Sequence, residues 1–270
     1  MLKVTTKRAV YATGVSAKPA SAPKLATPVK STATKTFYPI GPVATSPVAV
    51  AADEPEITAA MTSSNARNRL VNAVKHGHGL WRLQAKFRDL KIMAASAIGS
   101  PGCLDGPELG DLIDTYPDVQ SLTGLEIEIY EAVRDGAAAC FEAWRENVTV
   151  PGLPWYPAFV AYPGPMAPPT PNVPMPLMSC VSSQLGKFTP TALSGAMKGA
   201  LRDELKTDSV KGMLDQIGQS LSAFLMTWLP SQQVMLVMGK GPVPSFAPPY
   251  VPVGPVVGGD NIATPGHLAT

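Results

Sequence analysis

Residues 150–176 read VPGLPWYPAFVAYPGPMAPPTPNVPMP, and this stretch dominates the expected architecture of the chain. It contains ten prolines, and no charged residue occurs from 148 to 186. Proline lacks the amide hydrogen that helix interiors and inner strands require, so we expect an extended segment without regular hydrogen bonding. An uncharged segment with four aromatic residues is stabilised when it covers another surface, which predicts a docking arm.

The composition of the whole 270-residue chain supports the same view. There are 29 prolines and 23 glycines, while only 16% of the residues are charged. This charge is too low for classical disorder, and the proline content is too high for helix or central strand throughout. The net charge of +2 selects no class of partner. We therefore expect small folded blocks joined by uncharged arms.

Three helical blocks are predicted between the arms. Apolar residues at helical spacing favour a basic block at 63–98, interrupted at Gly77 and Gly79, and an acidic block at 107–147. The third block, at 189–228, carries an apolar stripe with coiled-coil spacing. Its members are Val210, Leu214, Ile217, Leu221, Phe224 and Trp228. The stripe is typical both of self-association and of a helical hairpin within one chain.

These patterns predict a mainly α protein, in which short helical bundle blocks are connected by long extended Pro-rich arms, with little or no sheet. The predicted segments are a basic extended N-terminal arm at 1–60, a helical block with basic then acidic helices at 61–148, a Pro-rich uncharged arm at 149–186, a helical hairpin with a short apolar segment at 187–240, and a Pro/Gly-rich C-terminal arm at 241–270. The basic and acidic helices are expected to pair, within one chain or between chains.

Apolar side chains in the arms and in the third block are the expected contacts to neighbouring subunits. Ordering an extended segment costs conformational entropy, which buried aromatic surface would have to offset. The predicted partner-binding residues are Trp155, Tyr156, Phe159, Tyr162, Phe246 and Tyr250 in the arms, and Leu214, Leu221 and Trp228 in the third block.

No pattern in the sequence predicts catalysis, a cofactor or a metal site. The sequence contains no GxxxxGK[ST] loop, no HExxH and no GxSxG. His76 and His78 stand two residues apart, so on a helix they point to different faces. Cys103, Cys140 and Cys180 form no CxxC pair, which is typical of buried free thiols, with an intermolecular disulfide as the alternative. We predict a non-enzymatic protein with no catalytic, cofactor-binding or metal-binding residue.

The first 50 residues contain seven basic residues and no acidic one. This composition favours an arm that binds nucleic acid or an acidic neighbour. The alternative is a solvated tail without a partner, which has the same composition. The basic, Ser/Thr/Ala-rich start is also typical of an organelle transit peptide. The longest uncharged run with helical character, at 216–239, contains four glutamines and Pro230, so no membrane span is expected.

Two segments resemble those of minor structural proteins of tailed bacteriophages. They are AYPGPMAPPTPNVPMPL at 161–177 and GPVPSFAPPYVPVGPVVGG at 241–259, and the resemblance lies in composition and style. It implies a head, neck, tail or baseplate component of the virion that acts by binding, and it carries over no catalytic residue.

We therefore predict a non-enzymatic structural protein of a large complex, a phage virion component that binds copies of itself and other subunits through extended arms. Two alternatives remain open. One is an accessory subunit of an organellar membrane complex, in a mitochondrion or plastid. The other is a nucleic-acid-binding protein that uses the arm at 1–50 and the basic helix around 75–91.

Overall fold

A computed structural model describes residues 63–122, 124–245 and 254–269. The predicted arm at 1–60 and the predicted anchors Phe246 and Tyr250 lie outside the described residues. The α-helices of the described part are α1 (Ser64–Gln84), α2 (Leu109–Ile113), α3 (Leu125–Glu146), α4 (Pro190–Ala200) and α5 (Asp208–Ser231).

The strands of the described part are β1 (Lys86–Phe87), β2 (Lys91–Met93), β3 (Ser96–Gly99), β4 (Leu104–Asp105), β5 (Val148–Pro154), β6 (Met166–Pro171), β7 (Met175–Pro176), β8 (Val181–Ser182), β9 (Gln233–Val234), β10 (Met238–Pro242) and β11 (Val257–Ile262). Seven strands form one antiparallel sheet in the order β6-β10-β11-β2-β3-β5-β8. The pairs β1–β4 and β7–β9 form two further short sheets. The large sheet takes strands from four of the predicted segments, and β10 spans the boundary predicted at 240/241.

The prediction of a mainly α protein with little or no sheet is wrong, because the described residues are a mixture of 51% helix and 23% strand. Residues 86–99, predicted as the end of the first helical block, form β1, β2 and β3. Asp89 and Ala94 have φ of 57° and 53°, a left-handed conformation that ends a regular right-handed helix. Phe87 and Leu90 are nevertheless fully buried, so their three-residue spacing suited a strand and turn as well as a helix.

The proline-rich stretch contributes β5 and β6 to the sheet, contrary to the expectation that prolines exclude a ladder there. β6 contains Pro168, Pro169 and Pro171 but lies at the edge of the sheet, and Pro168 and Pro169 fall at the register shift between the pairs Thr170–Gly239 and Ala167–Gly241. Proline carbonyls still accept hydrogen bonds, as Pro154 O does from Val173 N at 2.9 Å. Proline therefore limited the length and position of the strands without excluding them.

Asn172 ties the proline-rich stretch to the segment that precedes β10. Its side chain donates to Val234 O at 3.0 Å and accepts from Val237 N at 2.9 Å. Its backbone N donates to Val237 O at 3.0 Å, and the residue is buried. In addition, Trp155 Nε1 donates to Thr170 O at 3.0 Å. These bonds order the stretch against its own chain, since buried polar groups are stable when their partners are satisfied.

The helices pack in contact with one another's backbone at glycines. α4 packs against both α3 and α5. A Cβ on Gly136 of α3 would lie 2.5 Å from Met197 N of α4, and a Cβ on Gly218 of α5 would lie 2.9 Å from Pro190 O. Both distances are shorter than a carbon atom tolerates, so glycine is required at these crossings.

Gly77 has a similar role in α1. The prediction that Gly77 and Gly79 interrupt the first helix is wrong, because α1 is continuous from Ser64 to Gln84. A Cβ on Gly77 would lie 2.7 Å from Ile113 N, so the glycine lets α2 approach α1 closely.

Ala94 lies in the turn between β2 and β3, and its φ of 53° is unfavourable for a residue with a Cβ. We expect Ala94→Gly to raise the free energy of unfolding by about 1 kcal/mol, because glycine adopts this conformation without a steric penalty. Urea denaturation measures the change. Ala95→Gly, at a neighbour outside the left-handed region, should lower the free energy of unfolding by a few tenths of a kcal/mol to about 1 kcal/mol. Equal losses in both variants would contradict the assignment of strain to Ala94.

Candidate functional site

One face of the large sheet is buried and the opposite face is exposed. In the β2–β3 hairpin, Ile92 pairs with Ala97, and both are completely buried. The alternate positions Met93 and Ile98 are 53% and 56% exposed. Side chains alternate between the two faces of a strand, so these values separate an inner face from an open face.

The open face carries apolar side chains from five strands, which we call the apolar row. Met166 of β6 pairs with Pro242 of β10, and Val257 of β11 pairs with Met93 of β2. Met93 pairs in turn with Ser96 of β3, which pairs with Pro154 of β5. Ser96 is the one polar residue in this line of pairs. Large exposed apolar areas on a folded protein indicate an interaction surface.

A charged row lies beside the apolar row on the same face. Lys240 of β10 pairs with Asp260 of β11, Asp260 pairs with Lys91 of β2, and Lys91 pairs with Ile98 of β3. Positive, negative and positive charges thus follow one another across three strands. Neighbouring opposite charges keep this part of the face soluble, while the apolar row stays available for contact.

Both edges of the sheet are poor templates for a further strand. The edge strand β6 carries Pro168, Pro169 and Pro171, and the other edge strand, β8, has two residues. Prolines and very short edge strands are devices that block edge-to-edge association. These features disfavour the addition of a further strand at either edge.

A groove of about 460 Å³ lies between α1 and α5. The basic side chains Lys75 and Arg82 of α1 line one wall, and the hydroxyl groups of Ser220, Thr227 and Ser231 of α5 line the other. Phe224 and Trp228 of α5 also line the groove. The groove thus combines positive charge, hydroxyl oxygens and aromatic surface.

The electrostatic character of the groove follows from the composition of its walls. Residues 64–84 and 216–231 contain no aspartate or glutamate. Lys75 and Arg82 are seven residues apart, which is close to two helical turns and places them on the same side of α1. The Lys75 Nζ lies 5.4 Å from the centroid of the Phe224 ring, within the range of a cation–π interaction. The groove is therefore cationic at α1 and aromatic at α5.

His78 lies next to both aromatic rings of the groove. Its ring centroid is 5.1 Å from that of Phe224 and 4.4 Å from that of Trp228, and both contacts are edge-to-face. His78 is 2% exposed, and its Nε2 has no hydrogen-bond partner among the described residues. Burial, together with the nearby positive charge of Arg82, lowers the pKa of His78 to about 3. The imidazole is therefore neutral at physiological pH and adds no charge to the groove.

Two carboxylates of α3 form ion pairs with residues outside α1. Glu128 forms an ion pair with Arg202, which follows α4, and Glu142 forms one with Arg145 on α3 itself. These two ion pairs leave the predicted pairing of the basic and acidic helices as a prediction.

The structure places the predicted anchors of the 149–186 segment in different environments. Trp155 and Phe159 are 3% and 1% exposed and are buried against their own chain. Tyr156 is 44% exposed, and Tyr162 is half-buried, with its backbone paired to Gly254. Burial within the chain leaves Trp155 and Phe159 without surface for a neighbouring subunit, whereas Tyr156 keeps an exposed ring.

The predicted anchors of the third helical block belong to the core. Leu214 and Leu221 are fully buried, and Trp228 is 5% exposed. The Trp228 ring contacts Trp144 at a centroid distance of 5.7 Å, and its Nε1 donates to Gln232 Oε1 at 2.9 Å. The stripe thus packs within the chain, as the hairpin alternative required, and only the edge of Trp228 reaches the groove.

The thiols are poor candidates for chemistry. Cys103, Cys140 and Cys180 are buried and unpaired. Burial raises the pKa of Cys103 to about 11 and that of Cys180 to about 12, and it also raises the pKa of Cys140. The reactive thiolate form is therefore scarce at neutral pH.

Within the described ranges, no three histidine, cysteine, aspartate or glutamate side chains are grouped so that they could hold a metal ion. None of the helices in the described part is both long enough and apolar enough to cross a membrane.

Sequence reasoning missed the apolar row and the groove. The alternation Lys91-Ile92-Met93 was a signal for a half-buried strand, but three residues are too few to outweigh a helical pattern. Lys75 and Arg82 were recognised as part of a basic helix, without an indication of which side of that helix faces a cavity.

No protein-family model, no curated protein and no solved structure matches this chain.

Proposed function

We propose that this chain is a non-enzymatic structural component of a large assembly, in which copies of the chain meet through the open face of the seven-stranded sheet. The observation that carries the proposal is the apolar row. Met166, Met93 and Val257 in this row are 57%, 53% and 38% exposed. Ile98, in the neighbouring row, is 56% exposed. Covering these side chains would remove apolar surface from water, which is the main driving force of protein association.

The occupant we propose for this face is the same face of a second copy. Two sheets pack face to face at about 10 Å when apolar side chains interdigitate. Two apolar rows are complementary to each other, as an isologous contact requires. The net charge of +2 is small for a chain of 270 residues, so electrostatic repulsion between copies is weak.

A virion component of a tailed bacteriophage, in the head, neck, tail or baseplate, is the specific form of this proposal. It rests on the resemblance of the segments at 161–177 and 241–259 to phage structural proteins. The described part of the 149–186 segment is docked on its own chain, so we assign the contacts between subunits to the sheet face instead of to that arm. Tyr156 remains an exposed aromatic side chain of that segment.

The proposal predicts a concentration-dependent oligomer that charged substitutions on the sheet face dissociate. Size-exclusion chromatography with light scattering on the full-length chain should give a mass above the 28.3 kDa of the monomer at micromolar concentration. Met93→Glu combined with Ile98→Glu should return the monomer mass, because each carboxylate would have to be desolvated in the contact.

The matched control places the same charges on exposed apolar residues outside the sheet. Met178 and Leu83 are 53% and 54% exposed, and Met178→Glu combined with Leu83→Glu should leave the oligomer intact. Circular dichroism verifies that both double variants are folded. A wild-type chain that stays monomeric up to high concentration, or a sheet-face variant that associates as strongly as the wild type, would refute the proposed interface.

A further inference from the structure

We infer that the groove between α1 and α5 is a binding site for a small organic anion, a molecule with a carboxylate or phosphate group on an apolar ring-sized body. Its volume of about 460 Å³ lies within the usual range of ligand sites, roughly 300–1,000 Å³. This inference is independent of the sheet face, because it concerns different elements of the fold.

The anionic group would be held at the α1 wall. The Lys75 ammonium group is the donor for the anion, and Arg82, about 10 Å further along the helix axis, adds positive charge to the same wall. The opposite wall offers no competing carboxylate, since residues 216–231 are uncharged. A carboxylate or phosphate there would gain a charge-assisted hydrogen bond from the Lys75 ammonium group.

The apolar body would be held by the aromatic side chains of α5. Phe224 is half-buried and lies under the Lys75 ammonium group, so one of its faces is already used by a cation. The Trp228 ring is fixed by its hydrogen bond to Gln232 at 2.9 Å. His78 supports both rings from inside the protein in its neutral form. A ring-sized group can therefore pack on the part of the Phe224 ring that Lys75 leaves uncovered and on the small part of Trp228 that reaches the groove.

The hydroxyl groups of the α5 wall indicate how a ligand would be oriented. Ser220 Oγ donates to Gln216 O at 2.9 Å, Thr227 Oγ1 donates to Ala223 O at 2.7 Å, and Ser231 Oγ donates to Trp228 O at 2.9 Å. Their hydrogens are thus occupied, and their oxygens are left as acceptors. The geometry suits a molecule whose anionic group faces α1 and whose N–H or O–H groups, if present, face α5.

Isothermal titration calorimetry with four probes on the full-length chain tests this inference. The probes are 1-naphthoate, 1-naphthyl phosphate, the neutral 1-naphthalenemethanol and inorganic phosphate. We expect the two naphthyl anions to bind at least about tenfold more tightly than the neutral alcohol and than inorganic phosphate, because only they combine charge with an apolar body. The tighter of the two naphthyl anions then identifies the preferred head group.

Variants separate the groove from general attraction to a basic protein. Lys75→Met should weaken the better naphthyl anion by about tenfold, which corresponds to one charge-assisted hydrogen bond. Lys91→Met, which removes the same charge from the sheet face, should leave the affinity unchanged, and thermal melts should show both variants folded. Equal affinity for the anions and the neutral alcohol, or equal effects of the two substitutions, would overturn the inference.

A competition experiment distinguishes a small-molecule site from a nucleic-acid surface. Short duplex DNA should leave the bound naphthyl anion in place at physiological salt. Displacement of the probe by DNA, with an affinity that falls steeply as salt rises, would assign the groove to a polyanion and overturn the assignment to a small ligand.

Discussion

Gly136→Ala is expected to lower the free energy of unfolding by about 3 kcal/mol or more, because the added methyl group has no space between α3 and α4. A Cβ at this position would lie 2.5 Å from Met197 N and 2.6 Å from Met197 Cα. These are backbone atoms, so no change of side-chain rotamer relieves the overlap, and one helix must move. Since α4 also packs on α5 through Gly218, the displacement would spread through all three helices.

The control is a glycine with open space around it on the neighbouring helix. Gly195 lies within α4, and a Cβ there would meet no atom within 4 Å. Gly195→Ala should therefore raise the free energy of unfolding by about 0.5–1 kcal/mol through helix propensity alone. Urea denaturation followed by circular dichroism measures both changes. If Gly136→Ala changes stability by less than about 0.5 kcal/mol, the helices do not pack in backbone contact.

Helix beginnings could be read from the sequence because they depend on a few adjacent residues. A threonine directly before a proline is a typical helix start, and Thr189 Oγ1 indeed accepts from Ala192 N. Ser63 likewise caps α1 by accepting from Ala66 N. Helix ends are less predictable, since α4 ends at Ala200, inside the block predicted at 189–228.

The sheet could not be predicted because its strands are short and its pairings are distant in sequence. β2 has three residues, too few for alternation to be distinguished from helical spacing. Its pairing with β11 joins Met93 to Val257, and nothing in the local sequence of either strand specifies that partner. The apolar row exists only after six strands have been placed in order, so it could not be read from any single segment.

The sequence predicted the chemical character of the two helices that form the groove, but it did not predict how they are placed relative to each other. The basic character of α1 and the apolar stripe of α5 were both visible in the sequence. Their relative placement was not, because it depends on how the aromatic cluster around His78 fills the space between them. Phe224 was predicted as one member of a uniform stripe, but it is half-buried at the groove while Leu221 is fully buried.

Acidification from pH 6.5 towards 4 is expected to remove several kcal/mol of folding stability through His78 and His267. His267 is fully buried, and its Nδ1 accepts a hydrogen bond from Phe87 N at 2.7 Å, which requires the unprotonated nitrogen. Burial lowers the pKa of His267 from 6.5 to about 4, and burial with the charge of Arg82 lowers the pKa of His78 from 6.5 to about 3. Both groups are neutral in the folded protein throughout the mildly acidic range.

The sign of the effect follows from where the protons bind. Between pH 6.5 and about 4 the unfolded chain takes up protons on both histidines while the folded chain does not, so falling pH favours unfolding. The stabilisation is complete above pH 6.5 and is lost as the pH falls through this window. Each histidine contributes a slope of up to about 1.4 kcal/mol per pH unit. Below about pH 4 only His78 continues to contribute.

Substitutions that keep the contacts but remove the titration isolate each histidine. His267→Asn can place its Oδ1 where Nδ1 accepts from Phe87 N, and His78→Leu removes a buried nitrogen that has no partner among the described residues. Chemical denaturation at pH 7.0, 6.0, 5.0 and 4.5 should show that each variant loses less stability on acidification than the wild type, and that the double variant loses least. A double variant as acid-sensitive as the wild type would mean that carboxylates, and not these two buried imidazoles, set the acid limit of the fold.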